Sequence, residues 1–277
     1  MEHLIRSEDA SPMRTAADML VPLSPTKSSS PYEGEYDLAD TNIPQVYIIQ
    51  RIPPGARVLD VGCAGGRVAR HLREKGCMVT GIERDPVLAE KARRYCVEVI
   101  QGDVEDPQVL ARLGGPFDYV VLSDILEHLA WPENVLKALR GRLSQAGCVL
   151  AAIPNVLVWH TRKEFLLGHF DYQDSGTLDR THLRFFTLKT ARQLVEASGY
   201  RIVDEFVSYH IPGVNWVVQL MRIAVARIGW SSSPAALYTV PRFIARLAPE
   251  LFGNHFVLGL VPLGAGDVRG SGDTEGG

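Results

Sequence analysis

From Ile43 to Ile153 short apolar runs alternate with segments of helical spacing, and this alternation dominates the chain. Ile43, Val46, Tyr47 and Ile49 recur at the spacing of one helix face, and Pro53-Pro54-Gly55 ends that segment. Strands are expected over Arg57–Val61, Met78–Ile82, Val97–Gln101, Asp118–Leu122 and Cys148–Ile153. Helices are expected between them over Val68–Lys75, Pro86–Tyr95 and Pro132–Leu143. Continuously apolar strands interleaved with helices mark a parallel sheet covered on both faces. Right-handed crossovers then gather the loops after the strands on one edge, where open α/β sheets bind ligands.

After Pro154 the alternation lapses through residues 154–187, a stretch rich in His, Asp and aromatics. A long irregular segment inside a domain is usually functional, and this one is expected to act as a substrate lid. Regularity returns with a helix over Leu188–Ser198, with Thr187 as N-cap and Gly199 at its end. Tyr200–Val207 and His255–Val261 complete seven strands, and 211–251 reads as a helical insertion before the last one. The polar, Pro- and Ser-punctuated residues 1–40 and the Gly-rich 264–277 read as disordered tails around a domain over 41–263.

Composition narrows the function classes. The chain has 277 residues, 46% apolar, with a net charge of -3, so it supports a core and offers no broad field for nucleic acid. Cys63, Cys77, Cys96 and Cys148 lack zinc-knuckle spacing and are too few for a disulfide framework, which points to reduced thiols and a cytoplasmic location. Met1–Ala10 has no apolar run behind its charges, so no signal peptide is expected. Asn215, Gln219, Arg222 and Arg227 interrupt Ile211–Trp230, so no membrane span is expected there, only peripheral membrane contact. The apolar insertion Ile211–Leu251, with Arg222, Arg227, Arg242 and Arg246 interspersed, reads first as a helical pair packed on the sheet and second as a cover for a lipid-linked or hydrophobic acceptor.

Chemistry concentrates at the strand ends. Val58 to Gly66 reads as a buried strand ending in acidic Asp60 and running into Gly62, Cys63, Ala64 and Gly66 before a helix. Small residues there let the backbone approach a ligand closely. Glu83, roughly twenty residues on, can accept both hydroxyls of a ribose, with Arg84 beside it. Asp103, followed by Val104, can accept from an adenine amine. A nicotinamide fingerprint fails because Arg67 stands where its last glycine belongs.

Val58 to Gly66, Gly81-Ile82-Glu83, Gly102-Asp103 and Phe117 to His128 resemble, in order, the motifs of class I S-adenosylmethionine-dependent methyltransferases. The stretches Gly168 to Tyr172 and Gly176 to Thr187 are similar to the bacterial UbiG-like, or methyltransferase domain 23, subgroup. The resemblance implies a Rossmann-like α/β sheet and S-adenosylmethionine as cofactor, with no metal. It implies a small-molecule acceptor, such as a glycan precursor, lipid-linked compound or secondary metabolite, and a monomer or homodimer. It places the cofactor at Asp60, Gly62, Cys63, Ala64, Gly66, Glu83, Arg84, Asp103, Val104 and Ser123. Ala64 departs from a glycine common in the family.

A hydroxyl acceptor must lose a proton, and His is suited to take it near neutral pH. A helix beginning at Asp124 would put Asp124 and His128 on one face and turn Glu127 away. One of the two then lines the pocket, Asp124 beside the acceptor or His128 as a base, and the alternative for His128 is a helix-surface or capping role. His182, in the lid, is a base for the acceptor or a packing residue. His169 and Tyr172 are expected beside the acceptor. Arg180 and Arg184 either grip an anionic group on it or pair with Asp174 and Asp179. Asn155 either binds the acceptor or stabilises the turn after Pro154. Two rivals stand beside this reading: a non-catalytic S-adenosylmethionine-binding module and a nicotinamide-dependent dehydrogenase.

Overall fold

The computed structural model describes residues 35–210, 243 and 246–264. The seven expected strands all form: β1 (Arg57–Val61), β2 (Met78–Glu83), β3 (Glu98–Gln101), β4 (Phe117–Ser123), β5 (Leu143–Pro154), β6 (Tyr200–Tyr209) and β7 (Gly253–Pro262). They pair in the order β3-β2-β1-β4-β5-β7-β6, parallel from β3 to β5, with β7 antiparallel to both β5 and β6. Around the sheet lie α1 (Pro44–Arg51), α2 (Arg67–Glu74), α3 (Pro86–Ala92), α4 (Pro107–Ala111), α5 (Pro132–Arg140), α6 (Trp159–Leu166), α7 (Leu188–Ala197) and α8 (Pro249–Phe252).

Alternate residues of each strand feed opposite faces, which is why the strands had to be apolar throughout. Val58, Val79, Val121 and Leu150 pack with Ile48 and Ile49 of α1 and with Val68 and Leu72 of α2. Leu59, Ile82, Val120 and Val149 pack on the other side with Leu136 of α5 and Ala191 and Val195 of α7. The buried Tyr200 hydroxyl donates to the Leu136 carbonyl at 2.8 Å, so the large ring enters the core with its polar atom satisfied. α7 starts with a reciprocal cap, in which Thr187 accepts from the Thr190 N–H and Thr190 accepts from the Thr187 N–H.

Several expectations need correction. The stretch 154–187 is not wholly irregular, because α6 occupies Trp159–Leu166, with Thr161 its one buried residue. β5 starts at Leu143, and α5 accordingly stops at Arg140. Tyr36, assigned above to a tail, packs on the second core cluster and lies under the Arg67 guanidinium at 3.8 Å, so the folded unit starts before residue 41. No helix starts at Asp124, which instead takes a left-handed φ of 54° and leads into a single 3-10 turn over Leu126–His128. Most of the insertion 211–251, and nearly all of the two tails, lie outside the described residues. Among the described residues no helix is long and apolar enough to cross a membrane.

Candidate active site

β1 hands the chain to α2 through a loop that only small residues can line. Gly62 has φ 69°, and a Cβ there would meet Ile125 Cδ1 at 2.7 Å. Gly66 has φ 83°, and a Cβ would lie 3.1 Å from the Cα of Ala92 and 2.9 Å from Tyr95 Cδ2. Ala64 holds φ 47°, a left-handed conformation that costs a non-glycine residue about 1–2 kcal/mol. Its N–H donates to Glu83 Oε2 at 2.9 Å, which helps hold it there. The other Glu83 oxygen accepts from the Asp85 N–H at 2.8 Å. Glu83 therefore ties the loop after β1 to the loop after β2, and each oxygen keeps lone-pair capacity for a ligand. Cys63 is buried, its Sγ standing where a Cβ on Gly81 would fall.

Asp60 is buried at the end of β1, and its Oδ2 has no hydrogen-bond partner. Burial, reinforced by the charge of Glu83, pushes its carboxyl up to about 7. A lone buried carboxylate oxygen beside a loop of small residues suits a cationic ligand group, as the sulfonium and ammonium of S-adenosylmethionine would supply. A carboxyl whose folded pKa is raised contributes stability that is complete below its unfolded value and lost as pH rises through the folded one. Asp60→Asn is therefore expected to gain stability over the unmodified protein as pH climbs from about 4 to 7, levelling off at about 4 kcal/mol above that range. Urea denaturation across that range, showing a gap independent of pH, would contradict the raised pKa.

Asp103 is exposed and caps its own turn by accepting from the Glu105 N–H, while Val104 is buried beside it. Arg84 is exposed next to Glu83. Ser123 ends β4 and accepts from Gln45 Nε2 at 3.0 Å, and the same amide donates to Asp124 Oδ2 at 2.6 Å. Asp124 Oδ1 lies 3.3 Å from His255 Nε2, so residues from α1, β4 and β7 converge there.

Beyond Asp124 the 3-10 turn reverses an expectation about Glu127. Instead of turning away, Glu127 is 1% exposed, and neither carboxylate oxygen has a hydrogen-bond partner. Burial, with the charges of Asp124 and Asp179 adding to it, raises its carboxyl well above the usual range. Its backbone carbonyl accepts from the Leu183 and Arg184 N–H groups, which pins the lid to the turn after β4. His182 Nε2 then lies 4.0 Å from Glu127 Oε1. The His128 and His182 rings meet edge to face at 4.7 Å. His182 Nδ1 is 3.1 Å from the Thr177 carbonyl, and His128 Nδ1 is 3.2 Å from both the carbonyl and the hydroxyl of Thr181. A proton on each Nδ1 satisfies those acceptors and leaves each Nε2 with its lone pair. Burial and the neighbouring His128 lower the His182 pKa, which keeps its ring neutral at neutral pH.

The remaining candidates do not join this cluster in the described structure. The Asn155 amide donates to the carbonyls of Gly253 and Glu250 and accepts from the Leu157 N–H, so it stabilises the turn instead of facing an acceptor. His169 is exposed and pairs with Glu164, and Tyr172 is exposed against Phe170. Arg180 pairs with Asp174 at 2.6 Å. Arg184 donates to the Ala130 carbonyl over the Trp131 ring. Gln45, Tyr36 and His255 were not singled out from sequence, and Glu127, directly beside His128, was expected to face away.

The sheet order and the glycine loop with its acidic partners define a class I S-adenosylmethionine-dependent methyltransferase fold. The chain belongs to the methyltransferase domain family, whose profile matches residues 37–205. It is 37% identical over 116 residues to a ubiquinone biosynthesis O-methyltransferase of Xylella fastidiosa, covering 39% of this chain and 46% of that protein. It is 26% identical over 174 residues to one of Coxiella burnetii, covering 59% and 72%. The match thus spans about half the length of the first of these relatives. In fold it is similar to a S-adenosylmethionine-dependent methyltransferase of Archaeoglobus fulgidus, with a TM-score of 0.53 at 18% identity, covering 77% of this chain and 89% of that one. A putative methyltransferase of Listeria monocytogenes gives 0.51 at 15% identity, covering 80% and 98%.

Proposed function

We propose that the chain transfers a methyl group from S-adenosylmethionine to a hydroxyl oxygen of a small-molecule acceptor. Glycan precursors, lipid-linked compounds and secondary metabolites are the classes suggested by the subgroup resemblance. The relatives named as O-methyltransferases support the choice of oxygen. The observation that carries the reading is the placement of His182 beside His128 and Glu127 at the end of β4, next to the loop after β1. Ile125, one residue before the 3-10 turn, packs against Gly62 of that loop, so the two halves of the site adjoin.

Gly62, Ala64 and Gly66 would receive the methionine part of the cofactor, Asp60 its positive charge, Glu83 the ribose and Asp103 with Val104 the adenine. When bound, the cofactor supplies an electrophilic methyl on a sulfonium, which leaves as S-adenosylhomocysteine when the C–S bond breaks. The protein's part is alignment, which in-line displacement needs most, and removal of the proton. The acceptor O–H gives its proton to His182 Nε2 while the oxygen takes the methyl. The segment carrying Leu183 and Arg184, tied to the Glu127 carbonyl, holds His182 in place. With a panel of phenolic and sugar hydroxyl acceptors, S-adenosylhomocysteine should form only when an acceptor is present. Cofactor binding with no turnover across the panel would favour a non-catalytic binding module.

A further inference from the structure

Glu127, His128 and His182 each present one donor atom, and the three atoms all lie within 4.8 Å of one another. The geometry points to a divalent transition-metal site formed by Glu127 together with the Nε2 atoms of His128 and His182. Its existence does not depend on the methyl-transfer reading, although its consequence for the acceptor's proton does.

Three observations carry it. First, the Glu127 carboxylate is buried with both oxygens unpartnered, which is costly for a charged group unless a cation meets it. Second, both imidazoles are oriented through Nδ1 by backbone carbonyls, at Thr181 and Thr177. Metal-ligating histidines are commonly held this way, through the ring nitrogen that does not face the metal. Third, the backbone is clamped around the cluster. Leu183 and Arg184 both donate to the Glu127 carbonyl, and the His128 N–H donates to that of Ile125. Donors about 2.0–2.2 Å from a shared cation stand roughly 3–4 Å apart, so rotations of the three side chains amounting to about 1 Å would close the site.

The charges around the cluster favour a cation. Asp124 and Asp179 act on Glu127 from the strand end and from the lid. The nearby guanidinium groups are turned to other partners, Arg180 to Asp174 and Arg184 to the Ala130 carbonyl. Two imidazoles and one carboxylate suit zinc, cobalt, nickel, iron or manganese better than magnesium or calcium, which prefer oxygen donors. Three protein ligands also leave coordination positions open. A hydroxyl bound at one of them loses its proton more readily, so in the loaded protein the cation serves the step that His182 serves in the metal-free one.

The test uses untagged full-length protein, stripped with chelator and titrated with Co2+ and then with Zn2+. About one ion per chain is expected, with a visible cobalt absorption band from imidazole ligation. His128→Ala, His182→Ala and Glu127→Gln should each weaken binding by at least about tenfold, with circular dichroism confirming that each variant is folded. Substoichiometric metal and no cobalt band in the unmodified protein would overturn the site. So would undiminished stoichiometric binding in the His128→Ala, His182→Ala double variant. S-adenosylmethionine binding by the same stripped protein separates the two readings. Cofactor binding by a protein that takes up no metal in the titration removes this site and leaves the methyltransferase intact.

Discussion

Replacing His182 with alanine is expected to lower turnover by about 10²–10⁴-fold, the range for loss of a positioned general base, with cofactor affinity nearly unchanged. The side chain is buried against Glu127 and its Nδ1 is anchored on Thr177, and neither contact involves the glycine loop. The effect therefore belongs in kcat, and isothermal titration with S-adenosylhomocysteine supplies the control. The unmodified protein's pH profile carries the same information. Because burial and His128 lower the His182 pKa, its imidazole stays neutral to lower pH than a free one, and activity should persist below the usual imidazole range. Full turnover by the alanine variant would remove His182 from the proton step.

Glu83→Ala is expected to act on the other half of the site. It removes the acceptor that holds the strained Ala64 N–H, the acceptor for the Asp85 N–H, and the carboxylate proposed to take the ribose hydroxyls. Losing hydrogen bonds to an ionised group costs about 1–3 kcal/mol, or about 5- to 150-fold in cofactor affinity. Glu83→Gln keeps the shape and one acceptor oxygen, so it should fall between the alanine variant and the unmodified protein. Equal affinities for all three would show that Glu83 only shapes the loop.

The fold was readable in the sequence because its strands are buried on both faces and so appear as unbroken apolar runs between polar helices. Val120 to Leu122 and Val149 to Ile153 are the clearest examples. The acids proposed to hold the cofactor stand out for a related reason. Asp60, Glu83 and Asp103 sit at or just past the carboxyl ends of successive parallel strands, and topology alone brings such positions together. Short or weakly amphipathic helices were not readable. α4 spans five residues, and α6 buries only Thr161, so neither leaves an apolar stripe. Polar Ser144 and Gln145 and the small Ala146 and Gly147 hid the start of β5.

The acceptor side was read less well because it depends on one backbone angle. With φ 54° at Asp124, a 3-10 turn replaces the expected helix, and Glu127 moves from the surface to the interior beside His182. Gln45 and His255, which hold Asp124, come from the two ends of the described chain, and no local pattern links them to it.

The most direct test of oxygen methylation is to follow where the methyl group goes. The protein should be incubated with S-adenosylmethionine labelled with carbon-13 on its methyl and with catechol-type and sugar hydroxyl acceptors, and the products read by NMR. A labelled methoxy carbon on an acceptor, lost with His182→Ala, is the predicted result. Label on nitrogen or carbon, or a methoxy signal unaffected by that substitution, would contradict it.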